Sequence, residues 1–216
     1  MGPKADAPLA SLRRFVKARE PAERCELCSE GLPPHPHHEH LLEPNQRQLL
    51  CSCTPCALLF PAEAQRRFRR VPRRLLHLTD FEMTDAMWDS LAIPVNMAFL
   101  HTSIPSGDLH AYYPSPAGAT ASLLTLQGWT GLVETNPVLV TLEPDVEALL
   151  IHRVGDARDH FIAPIDRCYE LVGLLRVHWR GLSGGTDVWQ RVAEFFDSLR
   201  EQARVHGRTG EVTAHA

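Results

Sequence analysis

CELC at residues 25–28 and CSCTPC at residues 51–56 each contain a cysteine pair with two residues between its members. That spacing lets a tight turn present both sulfurs to one ion while backbone N–H groups point at them, and two such knuckles complete a tetrahedron. Cys25, Cys28, Cys53 and Cys56 are therefore the predicted ligands of one structural zinc ion. Residues 20–48 hold four of the twelve histidines and five of the seventeen prolines, with no sustained apolar period. Such a segment cannot build a core, so metal-binding free energy must serve as its folding free energy. Free cysteines acting only as small buried residues would need apolar partners, which this segment lacks.

Four thiolates fill the coordination shell, which argues against a zinc hydrolase and for a non-catalytic role. A rubredoxin-like single iron or an iron-sulfur cluster would use the same thiolates, and both stay open as alternatives. A Rieske centre would need a C-x-H element, which is absent. Three further residues compete for the ion. Cys51 precedes Cys53 by two, which on a strand would put both on one face, and His38 and His40 sit in HPHHEHLLE, residues 35–43. Cys168 stands alone on an apolar helical pattern and reads as an inert core residue.

The 216 residues are 44% hydrophobic and 22% charged, as in an ordinary folded protein rather than a disordered or collagenous one. The net charge of -4 is unevenly spread. Residues 1–80 carry 13 Lys and Arg against 9 Asp and Glu, whereas residues 81–216 carry 9 against 17. No apolar run is long enough to span a bilayer, and MGPKADAPLASLRRF lacks the apolar stretch of a secretory signal, so a cytoplasmic location is expected. In a reducing compartment clustered thiols point to metal or redox chemistry rather than to disulfides.

Leu9, Leu12, Phe15 and Val16 predict a short amphipathic helix over residues 7–19. LLCSC and ALLF, around residues 49–60, read as two short strands joined by a knuckle. Thr84 caps a short helix that stops before Pro94. VNMAFLH (95–101), LHAYY (109–113), VEALLIHRV (146–154) and HFIAPI (160–165) are β-prone, the last two forming a hairpin around Gly155, Asp156 and Ala157. LQGWTGLVETN (126–136) reads as a helix. Two closing helices are expected, one capped by Asp166 and ended by Gly181, the other capped by Thr186.

Six arginines fall within residues 66–74, the usual appearance of a nucleic-acid contact. Phe68 is the sole aromatic among them, so a basic connector pairing with the acidic second part of the chain is the preferred reading. A partner protein with an acidic surface would satisfy the run equally well. Gly181-Leu182-Ser183-Gly184-Gly185 superficially matches a protease Ser-Gly-Gly but reads as a turn between helices. YYPSPAGAT (112–120) lacks the Gly-Lys-Ser/Thr ending of a phosphate loop and reads as a proline-restricted loop.

CELCSEGLPP, HHEHLLEP, LLCSCTPCALLF, RRVPRR, YPSPAGAT, NPVLVTLEPDVEALL, IDRCYELVGLLR and HWRGLSGG, spread over residues 21–200, together resemble an uncharacterised actinobacterial family. Its genes are frequently found near those of oxygen-tolerant nickel-iron hydrogenases. The resemblance implies an accessory protein in a setting of metalloenzyme maturation, with a hydrogenase component as partner. It also implies that the positions of Cys25, Cys28, His38, His40, Cys51, Cys53 and Cys56 recur in the family.

The expected architecture is α+β, with a zinc-ribbon-like module followed by a mixed β-sheet domain and C-terminal helices. Residues 1–62 would hold the first helix and the metal module, 63–80 an Arg-rich connector, 81–206 the α+β domain, and 207–216 a frayed tail. The expected function is that of a non-catalytic, metal-binding accessory or interaction protein. An iron redox protein and a zinc-ribbon nucleic-acid-binding regulator are the alternatives.

Overall fold

A computed structural model describes residues 23–60, 67–122, 126–181 and 183–207. The helix expected at 7–19, Arg66, and the tail from residue 208 lie outside the described residues. The described chain runs β1 (Glu39–Glu43), β2 (Gln48–Ser52), α1 (Thr54–Ala57), β3 (Arg69–Arg70), β4 (Leu76–Leu78), α2 (Asp85–Ser90), β5 (Met97–Thr102), β6 (Leu109–Ser115) and β7 (Gly118–Ser122). It continues with α3 (Leu126–Thr135), a 3-10 helix (Pro137–Thr141), β8 (Glu147–His152), β9 (Asp159–Pro164), α4 (Ile165–His178), α5 (Gly185–Gln202) and β10 (Arg204–His206). The protein is thus mixed α+β.

Two sheets organise these elements. The larger has the order β10-β4-β9-β8-β5-β6-β7, antiparallel throughout except for the parallel pair of β10 and β4. Its central strands are buried on both faces. Met97, Phe99, Ala148, Leu150, Phe161 and Ala163 meet α4 and α5 on one side, through Cys168, Leu171, Leu175, Val192 and Phe196. The alternate residues Ala98, Leu100, Leu149, Ile151 and Ile162 meet Trp88 and Leu91 of the α2 region and Leu132 of α3 on the other. Period-two alternation with both sets apolar needs a cover on each face, and the helices supply it.

The smaller sheet has the order β2-β1-β3, all antiparallel. Leu42 and Val71 join the same core as α4 and α5, so this sheet packs onto the larger one. The arginine-rich stretch threads between them: β3 pairs with β1, and β4 pairs with β9 in the larger sheet.

Several local expectations are corrected. ALLF is not a strand: Thr54 to Ala57 form one helical turn with Pro55 in its first turn, a position where a missing N–H does no harm. Residues 112–120, expected as a loop, instead hold the end of β6 and the start of edge strand β7 (Gly118–Ser122), whose small residues GATAS carry no apolar alternation to announce it. Asp166 lies in the first turn of α4 rather than capping it, because Pro164 takes the cap position. Thr186 likewise lies inside α5, which starts after Gly184. Gly184 has φ of 90°, and a Cβ there would come within 2.8 Å of Val188, so glycine is required at this corner. Thr84 does cap α2, accepting from the Met87 amide at 3.1 Å.

Candidate metal centre

The first knuckle is a turn closed by an isolated bridge between Arg24 and Gly31, with the Cys25 amide donating to Glu30 at 2.8 Å and Ser29 donating back to Cys25 at 2.8 Å. Glu26 fastens it to β2 twice: its amide donates to the Cys51 carbonyl at 2.9 Å, and its carboxylate accepts from the Cys51 amide at 2.7 Å. The second knuckle is the start of α1, where Cys53 is the cap residue and its carbonyl accepts from Ala57 at 2.9 Å. Cys56 lies one turn along.

These two turns bring the sulfurs of Cys25, Cys28, Cys53 and Cys56 within 4.8 Å of one another. The Cys28 and Cys53 sulfurs are 3.6 Å apart. Sulfurs 2.3 Å from one tetrahedral ion stand about 3.8 Å apart, so the set fits a single ion. Ligands to different irons of a cluster stand farther apart, because the iron–iron separation is added. All six cysteines in the chain are free thiols.

The electrostatics suit a cation. Burial alone would raise the Cys25 thiol, but the backbone amides of Cys53, Cys28 and Leu27 favour its thiolate and bring it down to about 6. A backbone bond from Glu30 favours the Cys28 thiolate, yet the Cys25 and Cys53 side chains outweigh it and leave Cys28 above its usual value. The Cys53 and Cys28 side chains push Cys56 up to about 12. One thiolate forms readily and opposes the rest, which is the charge accumulation that a bound cation relieves.

Cys51, His38 and His40 do not join this set. They form a separate group whose ligand atoms also lie within 4.8 Å of one another. The separation has a local cause: β2 ends at Ser52 and the chain turns into α1, so Cys53 leaves the strand face that carries Cys51. Cys51 instead stands opposite His40 in the β1–β2 register. Burial, followed by the charges of Glu26 and Glu23, pushes the Cys51 thiol up.

The arginine run is engaged within the chain. Arg70 and Arg73 both reach Glu39, at 3.0 and 3.2 Å, and Arg67 reaches Glu43 at 2.9 Å. Arg74 pairs with Glu147, and Arg69 pairs with Asp145 at 3.1 Å with both side chains buried. Glu39 and Glu43 alternate on one side of β1, which places a carboxylate row where the returning chain lays its guanidinium groups. Arg69 and Arg74 thus tie β3 and the chain after it to the acidic loop and strand of the larger sheet. The Gly-rich segment at 181–185 connects α4 to α5, and His178 pairs with Asp187 at 3.1 Å on an exposed surface.

Sequence reasoning overlooked Asp166 as a partner of the histidines: its Oδ2 lies 2.8 Å from His40 Nδ1, across 126 residues of chain. No local pattern signals a contact of that separation. Among the described residues no helix is long and apolar enough to cross a membrane. A model of the family described as a family of unknown function (DUF5947) matches residues 24–203, a span that takes in both ligand groups and all the strands of the larger sheet but β10, which ends at His206. No curated protein and no solved structure matches the chain.

Proposed function

We propose, for a chain that belongs to the DUF5947 family of unknown function, that it is a non-catalytic accessory protein whose Cys25, Cys28, Cys53 and Cys56 hold one structural zinc ion. The observation that carries this reading is the approach of four sulfurs to within 4.8 Å of one another on two turns whose described residues join neither hydrophobic core of the larger sheet. Zinc has no redox chemistry and no geometric preference beyond the tetrahedron, so it suits a site that stiffens a surface. The module would hold that surface for a partner protein. Of the arginine run, Arg67 and Arg73 face outward, with side chains 69% and 59% exposed while pairing with Glu43 and Glu39. An acidic partner would meet these two groups first. The partner in this reading is a component of nickel-iron hydrogenase assembly, and its support is the sequence resemblance.

Elemental analysis and visible absorption test the metal. After dialysis against EDTA, a colourless protein retaining about one zinc per chain supports the reading. Thiolate-to-iron absorption in protein purified without oxygen overturns it in favour of iron. Affinity purification from the native host tests the partner: recovery of a hydrogenase component or maturation factor is expected, and recovery of neither removes the hydrogenase assignment.

A further inference from the structure

We propose that His38, His40 and Cys51 form a second and separate metal site, a three-ligand open site for a first-row divalent cation, whose two histidines line a cavity of ≈ 300 Å³. The register of the small sheet builds it. His40 on β1 and Cys51 on β2 are directly opposed, and His38 sits in the bend just before β1. The His38 and His40 rings are 4.7 Å apart between centroids.

The hydrogen bonds settle which ring nitrogens are available. His38 Nδ1 lies 3.0 Å from the Pro33 carbonyl, which only accepts, so Nδ1 carries the proton; Glu23 Oε2 stands 3.4 Å from the same atom. Nε2 of His38 is then an unprotonated lone pair, and it is buried with no hydrogen-bond partner on a side chain that is 1% exposed. A buried imidazole lone pair without a donor is unfavourable unless a cation or water meets it. His40 donates from Nδ1 to Asp166 Oδ2 at 2.8 Å, which again leaves Nε2 as the free lone pair. A carboxylate behind a histidine is the arrangement that orients the ring and raises its basicity toward a metal. Asp166 is fixed in turn, its Oδ1 accepting from the Arg167 amide at 2.8 Å.

Two imidazoles and one thiolate are borderline-soft donors, suited to cobalt, nickel, copper or zinc and poorly suited to magnesium or calcium. On binding, the Cys51 thiol gives its proton to solvent while both rings bind neutral. Three protein ligands leave a position open, as in catalytic rather than structural zinc sites. His35, His38, His40, Arg73, Asp166 and Arg167 line the adjoining cavity, so water or a small anion can reach that position. With a single thiolate, this site binds more weakly than the four-cysteine site and exchanges its ion.

Titration of the EDTA-dialysed full-length chain with Co2+ tests the proposal, because it leaves the zinc of the other site in place and reads only the second. The wild type is expected to take up one further equivalent with cobalt–thiolate charge-transfer absorption. Cys51→Ala is expected to lose that absorption, and His40→Ala to lose binding, with zinc content and thermal midpoint holding both variants to the folded state. Asp166→Asn acts as a positioning variant and should weaken cobalt binding about 10- to 100-fold. Added azide should shift the visible spectrum of the wild type through the open position. No uptake beyond the retained zinc, or uptake unchanged by Cys51→Ala and His40→Ala, overturns the site. A spectrum indifferent to azide overturns its openness. Absence of zinc from the four-cysteine site would register separately in elemental analysis, and the second site is then read as the cobalt uptake that Cys51→Ala and His40→Ala lose relative to the wild type.

Discussion

The two sheets of this protein are held by different forces. In the larger one, Phe99, Leu149, Leu150, Ile151, Phe161 and Ile162 are all wholly buried, and helices cover both faces. In the smaller one, buried apolar residues are few, chiefly Leu41, Leu42, Ala57 and Val71, while Glu39, Glu43 and Arg69 are buried beside them. Apolar burial at about 25 cal/mol per Å² can carry the first sheet. The second has polar pairs in place of a large apolar core and, in the reading proposed above, the four-cysteine ion, interactions that act only when every partner is present. The difference teaches that stability in this chain is divided by chemistry as well as by position. The larger sheet should tolerate loss of any single contact, and the metal module should not.

Removing the proposed zinc is the largest test of that contrast. Structural zinc in small modules contributes about 10–16 kcal/mol of apparent binding free energy at neutral pH. Cys25→Ser, or stripping with a strong chelator under denaturing conditions and refolding, should therefore unfold residues 25–56 and leave the larger sheet intact. Hydrogen exchange read by segment checks this: rapid exchange in β1 and β2 with protection kept in β5, β8 and β9 is the expected outcome. Equal loss in both sheets would break the comparison.

The joint between the sheets comes next. Arg69 of β3 donates to Asp145 at 3.1 Å, and both side chains are at most 5% exposed. Asp145→Ala leaves a buried guanidinium without its carboxylate and should cost about 3–5 kcal/mol in urea unfolding. A change under about 1 kcal/mol would mean that the joint is held chiefly by the apolar contacts of Leu42 and Val71 and by the Arg74–Glu147 pair.

Within the larger sheet the leading polar effect is pH-dependent. Burial, helped by the charge of Arg153, holds the His160 imidazole down at about 4 from its ordinary 6.5. Between those values the unfolded chain binds a proton that the folded chain does not, so stability falls as pH is lowered from about 6.5 to about 4 and is flat for this group above that window. The full effect approaches about 3 kcal/mol. His160→Gln should flatten the slope in that window, and an unchanged slope would assign it elsewhere. Asp159 acts below this range: although burial opposes it, contacts with His152, His77 and Arg200 hold its carboxyl far below the carboxylate range. Its contribution is present above its unfolded value and lost only at lower pH.

Cys168 gives the smallest effect. It is fully buried on α4, and burial keeps its thiol well above the ordinary value. Cys168→Ala should cost about 1 kcal/mol and leave zinc content unchanged, in contrast to Cys25→Ser. Loss of metal from Cys168→Ala would show that the two sheets are more tightly coupled than their separate chemistries imply.

Much of this was legible in the sequence wherever the signal is short-range. Paired C-x2-C spacing selects Cys25, Cys28, Cys53 and Cys56 because a ligand knuckle is closed by neighbouring residues, and the four do converge. The runs at 146–154 and 160–165 form the central hairpin because a short turn pairs adjacent strands. The apolar periods of α4 and α5 likewise mark the faces that enter the core. The arginine run was legible as charge, and its preferred reading as a connector pairing with the acidic second part of the chain holds for Arg69 and Arg74, whereas Arg67, Arg70 and Arg73 pair with Glu43 and Glu39 of β1 in the first part.

Tertiary structure alone decided the rest. Strand β7 has no side-chain alternation and exists because β6 offers it an edge. Strand β10 pairs in parallel with β4 across more than a hundred residues, which no local pattern encodes. The division of seven candidate ligands into a four-cysteine group and a His38, His40 and Cys51 group depends on strand register, and Asp166 reaches His40 only because α4 packs beside β1. Ligand spacing within a turn is a property of the covalent chain, whereas register and packing are settled by which distant surfaces bury one another.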